Sequence, residues 1–140
     1  MSFLRAIVCA MCLLFICGAA AAAEKEYQKL YKVGVEANKK GNFDEAIRYY
    51  SKAIAIKPDS ADLYFVRGRA YKQSSQLDSA IDDFTKAIAL RPAHAEAFNQ
   101  RGVTYIGLGE NRKALADFNK ACEFGNSDAC ANAAKLTKSK

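Results

Sequence analysis

Residues 61–92, ADLYFVRGRAYKQSSQLDSAIDDFTKAIALRP, decide the architecture of this 140-residue chain. Apolar residues recur at three- and four-residue intervals through two blocks, 61–74 and 77–90, with the polar pair Ser75-Gln76 between them and Pro92 closing the second. That pattern predicts two amphipathic helices joined by a tight turn. A connection this short makes the two helices antiparallel neighbours. The unit then recurs on both sides. Gly68 has counterparts thirty-four residues away at Gly34 and Gly102, Ala80 at Ala46 and Ala114, Phe84 at Tyr50 and Phe118, and Ala87 at Ala53 and Ala121. Pro92 is matched by Pro58, and by Asn126 in the third round. A period of this length, built from two helical blocks and a turn, is the mark of an all-α helix-turn-helix solenoid.

Extending the pattern outward gives repeats at 27–60, 61–94 and 95–126, followed by a capping helix and basic tail at 127–140. The first helix of each repeat falls near 25–40, 61–74 and 95–108, and the second near 43–56, 77–90 and 112–124. Gly41-Asn42, Ser75-Gln76 and Gly109-Glu110 read as helix stops followed by caps. Gly34, Gly68 and Gly102 permit close approach to Ala46, Ala80 and Ala114, while Leu30, Tyr64 and Phe98 with Tyr50, Phe84 and Phe118 supply a core that recurs from layer to layer. Pro58 and Pro92 stop the second helices, because proline lacks a donor and disfavours helical geometry in the residue before it.

Two further residues test this register. Arg67 and Arg101 stand on first helices, and Asp83 and Asp117 stand sixteen residues later on second helices, whereas the first repeat has Val33 and Tyr49 at the same places. Charge meets charge and apolar meets apolar, so salt bridges Arg67–Asp83 and Arg101–Asp117 are expected within repeats, in a structural role.

Ahead of the repeats, residues 1–23 hold one early cation, Arg5, then an apolar run over 6–16 and small residues to Ala23. This reads as a secretory signal peptide cleaved after Ala23, since the apolar run is short for a membrane span of about 20 residues. Export to the periplasm or the exterior follows. Membrane association is expected only if the leader is retained or is lipidated at Cys17, where bulky Ile16 in front of the cysteine is a poor fit. The net charge of +6 falls by one with Arg5 and is otherwise spread along the chain apart from the lysines of 135–140, a mildly basic solvated surface and not a nucleic-acid site. Of five cysteines, Cys9, Cys12 and Cys17 lie in the leader. The remaining pair, Cys122 and Cys130, suggests one structural disulfide in an exported chain. With a single histidine there is no zinc set, and no cofactor motif is present.

The recurring large apolar residue, glycine, tyrosine, alanine, aromatic, alanine and proline resemble the tetratricopeptide repeat over about residues 27–126. The departures are Ala37 where Tyr71 and Tyr105 fill the tyrosine position, and Arg67 and Arg101 at a place usually held by leucine. The stretch 120–130, with its two cysteines around a turn, is similar to the cysteine-bridged Sel-like repeats of exported bacterial proteins, in which a disulfide ties one second helix to the next first helix. Ser127 or Asp128 is then the expected cap of a last helix ending near Leu136. The resemblance implies a right-handed α-α superhelix of three repeats whose first helices line a concave groove. Carried over, the groove positions are Gln28, Tyr31, Val35 and Asn38, then Asp62, Phe65, Arg69 and Lys72, then Glu96, Asn99, Val103 and Ile106. Val35 and Val103 fit packing between first helices equally well.

This row presents an apolar seam flanked by Arg69 and Lys72, suited to a protein or peptide segment with apolar anchors and an acidic side chain or a terminal carboxylate. The family's clamp for chaperone tails is not reproduced. Tyr31 and Val35 stand where it needs polar side chains, Glu96 and Gln100 where its third-repeat cations belong, and Asn99 alone keeps a suitable group. Catalysis has no support: His94 follows Pro92-Ala93 at a repeat junction and reads as an exposed turn or helix-start residue, unaccompanied by a nucleophile, a phosphate-cradling loop or a paired metal ligand. The sequence thus describes an exported protein-interaction module, probed against two other readings, a self-associating structural subunit and a hydrolase. It specifies no small-molecule substrate.

Overall fold

The computed structural model describes residues 2–138, with side chains from residue 19 onward. The expected leader, with Cys9, Cys12 and Cys17, has its cysteines among side chains outside the described residues. Among the described residues seven helices follow one another: α1 (Ser2–Lys39), α2 (Phe43–Ile56), α3 (Ala61–Gln73), α4 (Leu77–Leu90), α5 (Ala95–Gly107), α6 (Asn111–Glu123) and α7 (Ser127–Lys138). Each packs on its neighbours in the chain, and α3 also touches α5, so α1–α2, α3–α4 and α5–α6 are stacked hairpins with α7 as a last half-layer. Among the described residues no helix is long and apolar enough to cross a membrane.

The first helix does not begin near residue 25 as its periodicity suggests. Residues 19–23 are all alanine, the strongest helix former, and nothing breaks the backbone before Gly41, so the helix runs in unbroken from the preceding segment. The later boundaries follow the punctuation. Helices α2 and α4 end two residues before Pro58 and Pro92, where Lys57 and Arg91 each donate a backbone N–H to a carbonyl in the last turn, Ala53 and Ala87, at 2.9 Å.

The turns between helices share one closure. Gly41, Ser75, Gly109 and Gly125 all have positive φ, and the following residue donates its N–H five residues back, as Asn42 does to Ala37 and Gln76 to Tyr71, both at 2.9 Å. This is the Schellman arrangement that satisfies the last carbonyls of a helix. Asn42, Gln76 and Glu110 make no side-chain cap on the helices they precede.

Packing inside each hairpin rests on a missing side chain. A Cβ on Gly34 would lie 2.7 Å from Tyr50 Cε1, one on Gly68 2.9 Å from Phe84 Cε1, and one on Gly102 2.8 Å from Phe118 Cε1. Each glycine is thus covered chiefly by the aromatic ring of the partner helix. The three rings, at most 3% exposed, form the floor on which the fully buried Ala46, Ala53, Ala80, Ala87, Ala114 and Ala121 close the layers. Leu30, Tyr64 and Phe98 remain half-buried and pack at the margins of this core.

Candidate functional site

Helices α1, α3, α5 and α7 share one side of the stack. Across it, Lys72 on α3 donates to the Gln100 side chain on α5, Asn132 on α7 donates to Asn99 Oδ1 at 3.4 Å, and the Phe65 ring on α3 lies 4.9 Å from the His94 ring at the start of α5. Val35 packs on a cluster that includes Ala37, Tyr50 and Ala70, joining α1 to α3. The side chains left facing outward on this side are the candidate binding surface.

The expected groove residues divide on it. Val103 and Ile106 are exposed, at 38% and 40%, and Arg69 is exposed with its guanidinium 5.8 Å from the Phe65 ring centre. Tyr31, Phe65 and Lys72 are half-buried, with Tyr31 tilted 6.1 Å from the Tyr50 ring. Val35 is half-buried in the contact between α1 and α3, whereas Val103 is not covered, so the two valines that fitted packing equally well have different surroundings. Asn99 is 7% exposed and held by Asn132, which places its amide between helices and not on the open surface. The Asn38 carboxamide oxygen is buried without a hydrogen-bond partner among the described residues.

Sequence reasoning missed the contribution of the last helix. Val103, Ile106, Phe118, Asn132, Lys135 and Leu136 line one cavity of about 370 Å³ between α5 and α7. It is predominantly apolar, with one cation and one amide at its rim. Helix α7 begins thirty-two residues after α5, whereas α5 begins thirty-four after α3. That two-residue shortening brings Lys135 beside Val103, a juxtaposition that counting by the thirty-four-residue period does not find.

Charge on this side is arranged by position along the helices. Asp62 and Glu96 lie in the first turns of α3 and α5, and Asp128 in that of α7. Arg69, Lys72 and Lys135 lie toward the other ends. Asp62 is paired with Arg91 at 2.9 Å, and Glu96 accepts from Gln100 and Asn126 at 2.8 and 3.0 Å. Lys72 is less well satisfied: burial and the adjacent Arg69 guanidinium hold its ammonium below the usual range against the opposing pull of Glu96, and its bonded partner, Gln100, is neutral.

His94 is buried, not exposed, at 8%. It is the residue before α5, and its Nδ1 accepts the Ala97 N–H at 3.4 Å, doing the work of a cap. The proton of the neutral ring then sits on Nε2, which is buried without a partner among the described residues. Burial and Arg91 lower its pKa below the ordinary 6.5, against the opposing pull of Asp62 and Glu96. A ring occupied in this way is a structural element and offers no free base to a substrate.

Behind the surface, Arg67 Nε and Nη2 donate to the two oxygens of Asp83 at 2.7 and 2.8 Å, and Arg101 does the same to Asp117 at 2.8 Å each. Each arginine also reaches back one layer with Nη1, Arg67 to Ser51 at 2.9 Å and Arg101 to Thr85 at 2.8 Å. These contacts tie three consecutive helices together, an inter-layer bond that the pairing within one repeat does not anticipate. In the first repeat's core, burial and the neighbouring Tyr31 push the Tyr50 hydroxyl pKa up to about 12, so the ring stays neutral.

Cys122 near the end of α6 and Cys130 in α7 are joined sulfur to sulfur, with Cα atoms 4.8 Å apart. The α7 cap is Asn126, whose Oδ1 accepts the Ala129 N–H at 2.8 Å, and not Ser127 or Asp128. Asn126 is also the residue that replaces the repeat's proline, so the substitution exchanges a helix breaker for a helix starter. Among the described residues, no group of three or more His, Cys, Asp or Glu side chains converges as a metal site.

A stack of helical hairpins with an open inner face defines a class of helical repeat proteins. Family comparison agrees at the level of the repeat. The model described as "TPR repeat" matches residues 36–74 and 68–109, and the one described as "Tetratricopeptide repeat" matches 95–124. The chain belongs to the tetratricopeptide repeat family. Among solved structures it is similar to the first such domain of Spaghetti (RPAP3) bound to the HSP90 peptide SRMEEVD, with 26% identity, a TM-score of 0.77, and coverage of 82% of this chain and 93% of that one. The second domain of human RPAP3 in complex with the HSP70 peptide SGPTIEEVD gives 27% identity and a TM-score of 0.76, covering 82% of this chain and 98% of the other. The Arabidopsis OM64 domain shares the fold at 24% identity, with a TM-score of 0.80 and coverage of 84% and 99%. No curated protein sequence matches the chain.

Proposed function

We propose that this protein is an interaction module that holds a segment of a protein partner against the inner face of α1, α3, α5 and α7. The observation that carries this reading is the pair Val103 and Ile106, aliphatic side chains 38% and 40% exposed beside a cavity of about 370 Å³, where a folded core would have buried them. Support comes also from the two RPAP3 domains of similar fold, which hold short peptides. The partner chemistry here differs from that of a chaperone-tail clamp. Tyr31 and Val35 are half-buried apolar groups, Glu96 is already engaged by Gln100 and Asn126, and Asn99 is closed off by Asn132.

The module works in an exported setting, as part of a cell-envelope assembly. That part of the reading rests on the leader-like residues 1–23 and on the Cys122–Cys130 pair, a Sel-like feature that suits an oxidising compartment. The right test places a photoreactive residue at exposed Arg69 on the inner face and, separately, at exposed Lys86 on α4. Partner capture from position 69 and not from position 86 is expected. Capture only of a second copy of the chain would replace the reading with self-association, and equal capture from both positions would remove the inner face from it.

A further inference from the structure

The cations on the inner face bracket its apolar patch. Arg69 and Lys72 are on α3, Val103 and Ile106 are on α5, and Lys135 is on α7 in the lining of the same cavity as the two aliphatic residues. Among the described residues neither Arg69 nor Lys135 makes an ion pair, and Lys72 is bonded only to the neutral amide of Gln100. The acidic groups of this side are at the opposite ends of the helices, where Asp62 and Glu96 are already engaged. Positive charge therefore stands on both sides of one apolar pocket, with Arg69 on one side and Lys135 on the other outside any ion pair of the described residues, while Glu96 offsets part of the charge of Lys72.

We infer that the pocket between α5 and α7 anchors a large aliphatic side chain in the interior of an extended segment, with acidic residues flanking it on both sides, one toward Arg69 and Lys72 and the other toward Lys135. This rests on the inner-face reading above and specifies its partner. A single terminal carboxylate answers only one of the two cationic ends, and so an internal segment fits better than a chain terminus. Spacing follows from helix geometry. Packed helices are about 10 Å apart, which puts α3 and α7 about 20 Å apart across α5. An extended chain rises about 3.3 Å per residue, so the two acidic residues are about six positions apart, and the aliphatic residue, seated between α5 and α7, is about four to five positions from the one facing α3 and about one to two from the one facing Lys135. Helix α7 is then a wall of the binding site as well as the end of the stack, and the Cys122–Cys130 link, at the N-terminal end of that helix, holds the wall to α6.

The test is a synthetic library of nonapeptides, amidated at the C-terminus, with leucine fixed at the centre and the flanks randomised, retained on the immobilised full chain. Aspartate and glutamate are expected to be enriched about four positions from leucine on one side and about one to two on the other. Lys135→Glu should abolish enrichment on one side and Arg69→Glu/Lys72→Glu on the other, each lowering the affinity of the best peptide about tenfold, with the loss shrinking in 1 M salt. These residues are exposed or half-buried, and circular dichroism checks that the variants keep their helices. Enrichment that ignores charge, or that survives unchanged in Lys135→Glu, overturns the flanking proposal. If such charge-blind retention is still lost in Ile106→Asp, the inner-face reading stands without it. Retention of no peptide by the unaltered chain overturns both.

Discussion

Arg67 and Asp83, sixteen residues apart on α3 and α4, form a two-point guanidinium–carboxylate contact at 2.7 and 2.8 Å with both side chains largely shielded, at 18% and 7% exposure. Burial pushes the Asp83 carboxyl up while Arg67 pulls it back, so the ionised aspartate is tolerated only because the arginine is there. The first repeat fills the same two places with Val33 and Tyr49. Asp83→Ala alone is therefore expected to cost about 2–3 kcal/mol, because it strands a guanidinium, whereas Arg67→Val/Asp83→Tyr together should cost less than either single change. Urea unfolding of Asp83→Ala, Arg67→Val, Asp83→Tyr and the double variant measures this. Additive losses in the double variant would show that the two positions are not interchangeable with the first repeat's apolar pair.

Ser75 carries the backbone geometry that Gly41, Gly109 and Gly125 carry in the other turns, with φ at 63°. A side chain in this region costs about 1 kcal/mol, which glycine avoids. Ser75→Gly is expected to raise stability by about 0.5–1 kcal/mol, less what glycine adds to the freedom of the unfolded chain. A lower unfolding midpoint for the variant would contradict the reading of this turn.

His94 couples stability to acidity. Its folded pKa lies below the 6.5 of a free histidine, so the unfolded chain takes up the proton first as the pH falls. The contribution is complete above that value and is lost as the pH drops below it, since protonating Nδ1 also removes the acceptor for Ala97. His94→Asn keeps an oxygen acceptor at the cap and does not titrate. Between about pH 7.5 and about pH 5.5 the unaltered chain should lose more stability than the variant. Parallel pH profiles of the two would contradict the account.

Cys122 and Cys130 close a nine-residue loop across the α6–α7 turn. The chain-entropy argument gives such a link about 2–3 kcal/mol. Cys122→Ser/Cys130→Ser should lower the unfolding midpoint accordingly, and a reductant should bring the unaltered chain to the same point while leaving the variant unmoved. A midpoint insensitive to both would mean that α7 is held by packing alone.

Most of the architecture was legible because the repeat states its own boundaries. The second helices 43–56 and 77–90 begin and end where their turn residues and prolines place them, and the arginine–aspartate register is readable since the first repeat offers an apolar control in Val33 and Tyr49. The remainder depends on facts that a period does not carry. Residues 19–23 continue a helix, because alanine gives no stop signal. His94 looks like a turn residue in the sequence and is buried by the Phe65 ring, a contact between layers. Asn99 is closed off by Asn132, and Lys135 joins the inner face only because the last layer is two residues short, so the end of the site departs from the repeat that predicts its beginning.

The central claim, that partners bind the inner face, is tested most directly by titrating the 15N-labelled chain with the acidic-flanked leucine peptide and following backbone amide shifts. The account predicts saturable shifts centred on Arg69, Lys72, Val103, Ile106 and Lys135, with the exposed outer residues Lys52, Lys86 and Asn119 unmoved. Shifts concentrated on α2, α4 and α6, with the Val103 and Ile106 amides unchanged, would contradict it.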